Sequence, residues 1–140
     1  MLFRKIQIID IEAIFEIQEE LKFQTWSLSQ LESSIKSGLG FLIEKESVLA
    51  YAFLMPIQDE AELLSIAVKK DYQKQGIASL LWKKTLEYLE NLKIQKVYLE
   101  VRASNKIAQS FYKKNGFLEI YERKNYYSNQ ENAIVMQFKF

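Results

Sequence analysis

The chain has 140 residues, 49% of them hydrophobic and 14% aromatic, with 19 basic and 18 acidic side chains and a net charge of +1. That is the size of one domain, residues 1–140, with a single core, and the balanced charge gives no sign of nucleic-acid steering. Cysteine and histidine are absent, which excludes a disulfide framework, a cysteine nucleophile, histidine triads and most metal sites, so any general base is Glu, Asp, Tyr, Lys or water.

In chain order, Phe3 to Ile9 reads as a first strand. Ile11, Ile14, Phe15, Gln18 and Leu21 follow helical spacing, with Asp10 as the N-cap. Ser27 opens a second helix with Gln30 completing a capping box, and Gly38 or Gly40 ends it. Gly40 to Glu44 and Val48 to Met55 pair around Lys45-Glu46-Ser47, and Ala61 to Val68 is the next strand. A core-facing stripe of Ile77, Leu80, Leu81, Thr85, Tyr88, Leu89 and Leu92 marks a long helix. Lys96 to Val101 is a strand, and Asn105 to Lys114 a short helix stopped by Asn115-Gly116. Leu118 to Tyr127 and Ala133 to Phe140 are the last strands. This order implies a mixed α/β layer fold. No run has the length of a membrane span and the N-terminus lacks a signal-peptide pattern, so the expected location is the cytoplasm, away from membranes.

Three places carry chemistry. The polar turn Asp71 to Ser79 links a strand to a helix, whose first N–H groups lack intrahelical partners and sit at the positive end of the helix dipole. Such a turn suits an anion such as a pyrophosphate, and Gly76 permits close approach to the main chain. Neither a P-loop nor a dinucleotide fingerprint is present. The alternative is a plain turn, with Lys69, Lys70, Lys74, Lys83 and Lys84 as a solvated basic face. In the strand Lys96 to Val101, Val97, Leu99 and Val101 point one way, Tyr98 and Glu100 the other. A carboxylate there is either functional or paired in a salt bridge, for instance to Arg102 or Arg123. Asn105 and Tyr112 share one helix face two turns apart. Asn105 is placed to cap that helix. Tyr112 is either functional or a core aromatic beside Ala108, with Phe111 the more natural core residue.

Gln73-Lys74-Gln75-Gly76-Ile77-Ala78 resembles the Arg/Gln-x-x-Gly-x-Gly/Ala signature of the GCN5-related N-acetyltransferases. Tyr98-Leu-Glu-Val-Arg-Ala-Ser-Asn105, Phe111-Tyr112, Asn115-Gly-Phe117, Arg123-Lys-Asn-Tyr-Tyr127 and Ala133-Ile-Val-Met136 are similar to the branch of that family that acetylates the N-terminal alanine of a small-subunit ribosomal protein. The similarity is clear from about Glu60 to Phe138. It implies a mostly antiparallel central sheet flanked by helices, acetyl-coenzyme A as cosubstrate, no metal, and a protein N-terminus as partner.

The resemblance assigns roles residue by residue. Ile66, Ala67 and Val68 offer backbone groups to the coenzyme arm. Lys74, Gln75, Gly76, Ile77, Ala78 and Ser79 hold its pyrophosphate, the basic cluster attracts its phosphates, and Asn105 contacts the coenzyme. Glu100 matches the general base, Tyr112 the acid at the departing thiolate, and Phe23, Trp26, Tyr126 and Tyr127 flank the acceptor. Plain core packing is the alternative for at least two of those four aromatics. Gln75 stands where this branch carries Arg, Ala78 where it carries Gly, Thr25 precedes Trp26 in place of Pro, and Ser128 replaces another Pro ahead of a short loop. The last two changes bear on the acceptor rather than the chemistry. A lysine side chain, a polyamine or another small amine is the competing acceptor, which Glu60 and Glu62 would favour as cation-attracting groups; the alternative for either is a plain solvated carboxylate. A catalytically silent coenzyme-binding module is the third reading, and Glu100 and Tyr112 count against it.

The proton balance constrains both catalytic roles. A carboxylate near pKa 4.3 taking a proton from an amine near 8 faces an uphill step of about 5 kcal/mol, so burial of the base or a relaying water must close the gap. A phenol near 10 protonating a thiolate near 8.5 is uphill by about 2 kcal/mol, which favours hydrogen-bond stabilisation over full transfer.

Overall fold

The computed structural model describes residues 1–22 and 26–140. In chain order the elements are β1 (Leu2–Lys5), α1 (Ile11–Leu21), α2 (Leu28–Ser37), β2 (Leu39–Lys45), β3 (Ser47–Ile57), β4 (Glu60–Val68), α3 (Ile77–Asn91), β5 (Lys96–Arg102), α4 (Lys106–Lys114), β6 (Leu118–Arg123) and β7 (Ala133–Lys139). The strands form one seven-stranded sheet in the order β1-β2-β3-β4-β5-β7-β6. Every neighbouring pair is antiparallel except β4 and β5. The expected mixed, mostly antiparallel sheet flanked by helices is the architecture found.

Local chemistry explains most element ends. Ser27 and Gln30 form the capping box of α2: the Gln30 N–H donates to Ser27 Oγ at 3.1 Å and the Ser27 N–H to Gln30 Oε1 at 2.8 Å. Gly38 closes that helix. Three expectations need correction. β1 ends at Lys5, because Ile8–Asp10 turns as a 3₁₀ helix. Asp10 does not cap α1 through its side chain. Its carboxylate instead accepts from the Gln7 N–H at 2.7 Å and from both terminal nitrogens of Arg4 at 2.9 Å, so it closes the preceding turn. β6 ends at Arg123, which leaves Tyr126 and Tyr127 in the β6–β7 loop.

Two apolar clusters line the two sides of the sheet. α3 packs Ile77, Leu81, Trp82 and Leu89 against Phe41, Leu63, Val97 and Leu99. α1 and α2 pack Ile14, Ile17 and Leu31 against Leu42, Tyr51 and Phe53. The α3 stripe is rotated from the one expected: Trp82 is buried, while Leu80 and Leu92 are exposed. The buried line runs along Ile77, Leu81, Thr85 and Leu89, four residues apart, and Trp82 rather than Leu80 flanks it.

The feature that positions the site is a fork. β4 pairs with β5 only from Glu60 to Glu62, opposite Lys96 to Tyr98. The β3–β4 register skips Leu64, since Phe53 opposes Ser65 and Leu54 opposes Leu63. Such a bulge bends its strand. Beyond it, among the described residues, the backbone from Leu63 to Val68 has no sheet partner on the β5 side.

Candidate active site

The turn from Lys69 to Gly76 leaves β4 at the open end of the fork. Gln73 Nε2 fastens it by donating to the Val68 carbonyl at 3.0 Å. Gly76 is the N-cap of α3 at φ 82°, with no side-chain cap. The first rung of the helix is the Leu80 N–H on the Gly76 carbonyl at 3.0 Å. The N–H groups of Ile77, Ala78 and Ser79 therefore precede the ladder. A Cβ built on Gly76 meets nothing within 4 Å, so the space over this main chain is open. Lys74, Gln75 and Gly76 are exposed, whereas the Ile77 side chain lies in the core and has only its N–H to offer. Ser79 Oγ accepts from Asn115 Nδ2 at 3.4 Å, which ties the start of α3 to the end of α4.

Ile66, Ala67 and Val68 direct their side chains into the two clusters, so their unpaired backbone edge is what faces the fork. The residues present fit an acyl-coenzyme A molecule: a free strand edge for an amide-bearing arm, then an uncapped helix start for phosphates.

β5 alternates as expected, with Val97, Leu99 and Val101 buried and Tyr98 and Glu100 on the opposite face. In the sheet, Glu100 lies opposite Val135 on β7, and Val135 opposite Tyr121 on β6. Arg123 Nη1 donates to Glu100 Oε1 at 3.3 Å. Oε2 of the same carboxylate is buried and has no partner among the described residues. The salt-bridge and free-base readings of Glu100 thus coexist, one on each oxygen. Arg102, the other candidate partner, pairs with Glu131 at 3.1 Å instead. Glu100 borders a concavity of about 550 Å³ with Glu62, Tyr98, Ile120 and Tyr121. A hollow of similar volume, about 560 Å³, lies by Met1 and Glu46 and holds no candidate residue.

The Arg123 guanidinium stacks over Tyr126 at 4.4 Å from the ring centroid, and Arg102 over Tyr127 at 4.0 Å. The two tyrosine rings meet edge to face at 5.1 Å. The Glu100 carboxylate is the first cause that pushes the Tyr126 phenol above its ordinary pKa. Burial raises Tyr112 to about 12, with Tyr127 adding to the shift. Glu100, Arg123, Tyr126 and Tyr127 therefore form one connected set.

The α4 helix corrects one expectation. Tyr112, not Phe111, packs on the main core, with its ring 5.6 Å from Phe117. Asn105 caps the helix as expected, accepting from the Ala108 N–H at 3.1 Å. Trp26 packs on Phe53 at 5.4 Å, its backbone bracketed by the buried Gln18, which donates to the Trp26 carbonyl at 3.1 Å. Among the described residues no aromatic contact joins Trp26 to Tyr126 or Tyr127, and Phe23 lies outside those residues. Sequence reasoning raised Glu62 only as a group that would attract a cationic acceptor and did not join it to Glu100, although its position between buried Ala61 and Leu63 is the same signal that marked Glu100. It also missed Gln109, whose buried amide donates to the carbonyls of Arg102 and Ala103 at 3.0 Å each and locks the β5–α4 turn.

A sheet forked between its two parallel strands, with an uncapped helix at the mouth, defines an acyl-coenzyme A N-acyltransferase fold. The acetyltransferase (GNAT) family profile matches residues 8–117, and the chain belongs to that family, whose acyl donor is acetyl-coenzyme A. The chain is 35% identical to the ribosomal protein bS18-alanine N-acetyltransferase of Haemophilus influenzae, over 94% of each chain. It is 34% identical to the enzyme of that name from Escherichia coli K12, over 94% of this chain and 92% of the relative. A crystal structure of the ribosomal-protein-S18-alanine N-acetyltransferase from Escherichia coli superposes with a TM-score of 0.90 at 31% identity, covering 99% of this chain and 92% of that one.

Proposed function

We propose that this protein transfers the acetyl group of acetyl-coenzyme A to the N-terminal α-amine of a protein, and that its acceptor is the N-terminal alanine of the small-subunit ribosomal protein bS18. The observation that carries the chemistry is Glu100: one oxygen is held by Arg123, and the other is buried, unpaired and beside a concavity large enough for a peptide terminus. Relatives that share a third of the sequence end to end and bear that activity in their names support the acceptor. A ribosomal acceptor places the enzyme in the cytoplasm.

Acetyl-coenzyme A supplies the thioester that the amine attacks. The backbone of Ile66, Ala67 and Val68 aligns its arm, the N–H groups from Lys74 to Ser79 bind its pyrophosphate, and Asn105 contacts the coenzyme from the start of α4, the end of that helix away from Ser79. Glu100 takes the proton from the acceptor nitrogen, directly or through a water, and Arg123 fixes the carboxylate's orientation. Tyr112 donates a hydrogen bond to the developing thiolate. Its raised pKa makes it a weaker acid than a free phenol, which favours that role over complete proton transfer. Tyr126, Tyr127, Trp26 and Phe23 are the aromatic side chains assigned to the acceptor.

The test is acetyl transfer to a panel of N-terminal peptides and small amines, read by mass spectrometry. Modification of an alanine α-amine is the expected result. Reaction of lysine side chains or spermidine-like amines alone would replace the acceptor, and no transfer to any amine would leave a coenzyme-binding module.

A further inference from the structure

We propose that Glu62 is an acceptor-binding residue: across the β4–β5 fork from Glu100, it holds the incoming amine in its ammonium form and makes the enzyme select cationic acceptors. This rests on the acetyl-transfer reading above and deepens it.

Glu62 occupies the last paired rung before β4 and β5 part, opposite Tyr98. Tyr98 and Glu100 share one face of β5, and Glu62 and Glu100 border the same concavity. Glu62 is half-buried and has no ion-pair or hydrogen-bond partner among the described residues. The nearest cation, Arg123, is committed to Glu100 Oε1. A carboxylate withdrawn from water without a partner is costly, and a cationic ligand relieves that cost. Glu100 borders the same hollow, and its Oε2 is buried without a partner among the described residues, so it is a second acceptor next to Glu62. An ammonium has three N–H donors and meets both carboxylates at once.

The electrostatics agree with this placement. Burial and the neighbouring Glu100 raise the Glu62 carboxyl, while Arg123 lowers it. The other titratable groups lining the hollow are Glu60 on β4, Tyr98 on β5 and Tyr121 on β6, with Tyr126 in the following loop. Lys96, at the start of β5, acts on Tyr98 and not on Glu62, whereas Arg123 acts on Glu62. In the reaction the ammonium loses one proton to Glu100 and its nitrogen attacks the thioester carbon. As the C–N bond forms the C–S bond breaks, the nitrogen's second proton passes to the departing thiolate to give free coenzyme A, and Glu62 stays a carboxylate throughout.

The experiment compares wild type with Glu62→Gln and Glu62→Asp. For an alanine-N-terminal peptide, Glu62→Gln should raise KM about tenfold, or about 1.4 kcal/mol, as loss of one charge-assisted contact predicts. Its kcat should move far less, the signature of lost acceptor binding rather than lost chemistry. Glu62→Asp should recover part of the KM. A readout free of turnover is calorimetry with coenzyme A present, titrating the peptide and its analogue with a hydroxyl in place of the α-amine. Wild type should prefer the ammonium, and Glu62→Gln should lose most of that preference while binding coenzyme A normally. An unchanged KM together with an unchanged ammonium preference overturns the role of Glu62. If wild type acetylates only small amines, the peptide acceptor fails, and the same KM comparison on the small amine still decides Glu62. If nothing is acetylated, the calorimetric preference decides it.

Discussion

Arg123 on the edge strand β6 reaches across β7 to Glu100 on β5 and bonds only one of its two carboxylate oxygens, at 3.3 Å. The contact orients the carboxylate and leaves Oε2 buried, without a hydrogen-bond partner among the described residues. An exposed arginine contributes little to stability in such a pair, so its value lies in geometry.

Glu100→Gln should lower turnover by about 10²–10⁴-fold, the usual contribution of a positioned general base. Coenzyme affinity, measured by calorimetry, should stay near wild type. The pH–rate curve distinguishes base from scaffold: a rising limb that the substitution alters belongs to Glu100, whereas amine ionisation alone leaves the same limb in both proteins. Near-normal turnover with an unaltered limb would leave water as the base.

Gly76→Val should weaken coenzyme A binding sharply while the protein stays folded. A Cβ at this position has open space around it, so the fold's own packing is no obstacle. The obstacles are a φ of 82°, hostile to a β-branched residue, and the loss of close approach over the first N–H groups of α3. Unchanged affinity by calorimetry would move the pyrophosphate elsewhere.

The sequence made the element order, the Ser27–Gln30 capping box and the alternation of β5 legible, because each is a local pattern of spacing or hydrogen-bonding side chains. The fork was not legible. It depends on where β4 stops pairing with a strand about 35 residues later in the chain, a non-local property that no periodicity encodes. The rotated stripe of α3 has a similar cause: Trp82 and Leu80 both flank the buried line, and only the shape of the sheet beneath chooses between them. Glu62 carried the same signal as Glu100, a carboxylate among alternating apolar residues, but its meaning comes from the partner strand. Tyr126 and Tyr127 were placed on a strand because aromatic residues favour strands, and their stacking on Arg123 and Arg102 in a loop is a tertiary effect.

Tyr112→Phe should lower kcat while preserving the melting temperature. The ring keeps its contact with Phe117 and the core, and only the phenol oxygen is lost. Because burial holds the phenol at about 12, the wild type should show no loss of activity from Tyr112 ionisation below pH 10. A kcat equal to wild type in the variant would reduce Tyr112 to a core aromatic.

Gln109→Leu should cost about 1–3 kcal/mol of stability, the penalty for leaving buried polar groups without a partner. The amide of Gln109 satisfies two consecutive carbonyls, Arg102 and Ala103, where β5 turns into α4. The same turn sets the position of Asn105 at the start of α4, so coenzyme affinity should fall with stability. Urea unfolding and calorimetry on one sample check both. A loss of stability with wild-type affinity would confine Gln109 to folding.

Acid should unfold the protein partly through Arg4. Its guanidinium bonds Asp10 and Glu44, and both carboxyl groups are held below the usual carboxylate range, chiefly by those hydrogen bonds. A depressed carboxyl contributes stability that is fully present above its unfolded pKa, about 3.9 for Asp and 4.3 for Glu, and is lost as pH falls through the lower folded value. Wild type should therefore lose stability progressively below about pH 4, where these two groups protonate. Arg4→Met removes the partner of both. Its melting temperature should lie several degrees below wild type at pH 7 and converge on it as the pH drops toward 2. A gap that stays constant from pH 7 to 2 would assign the loss to packing of the arginine stem and not to its charge.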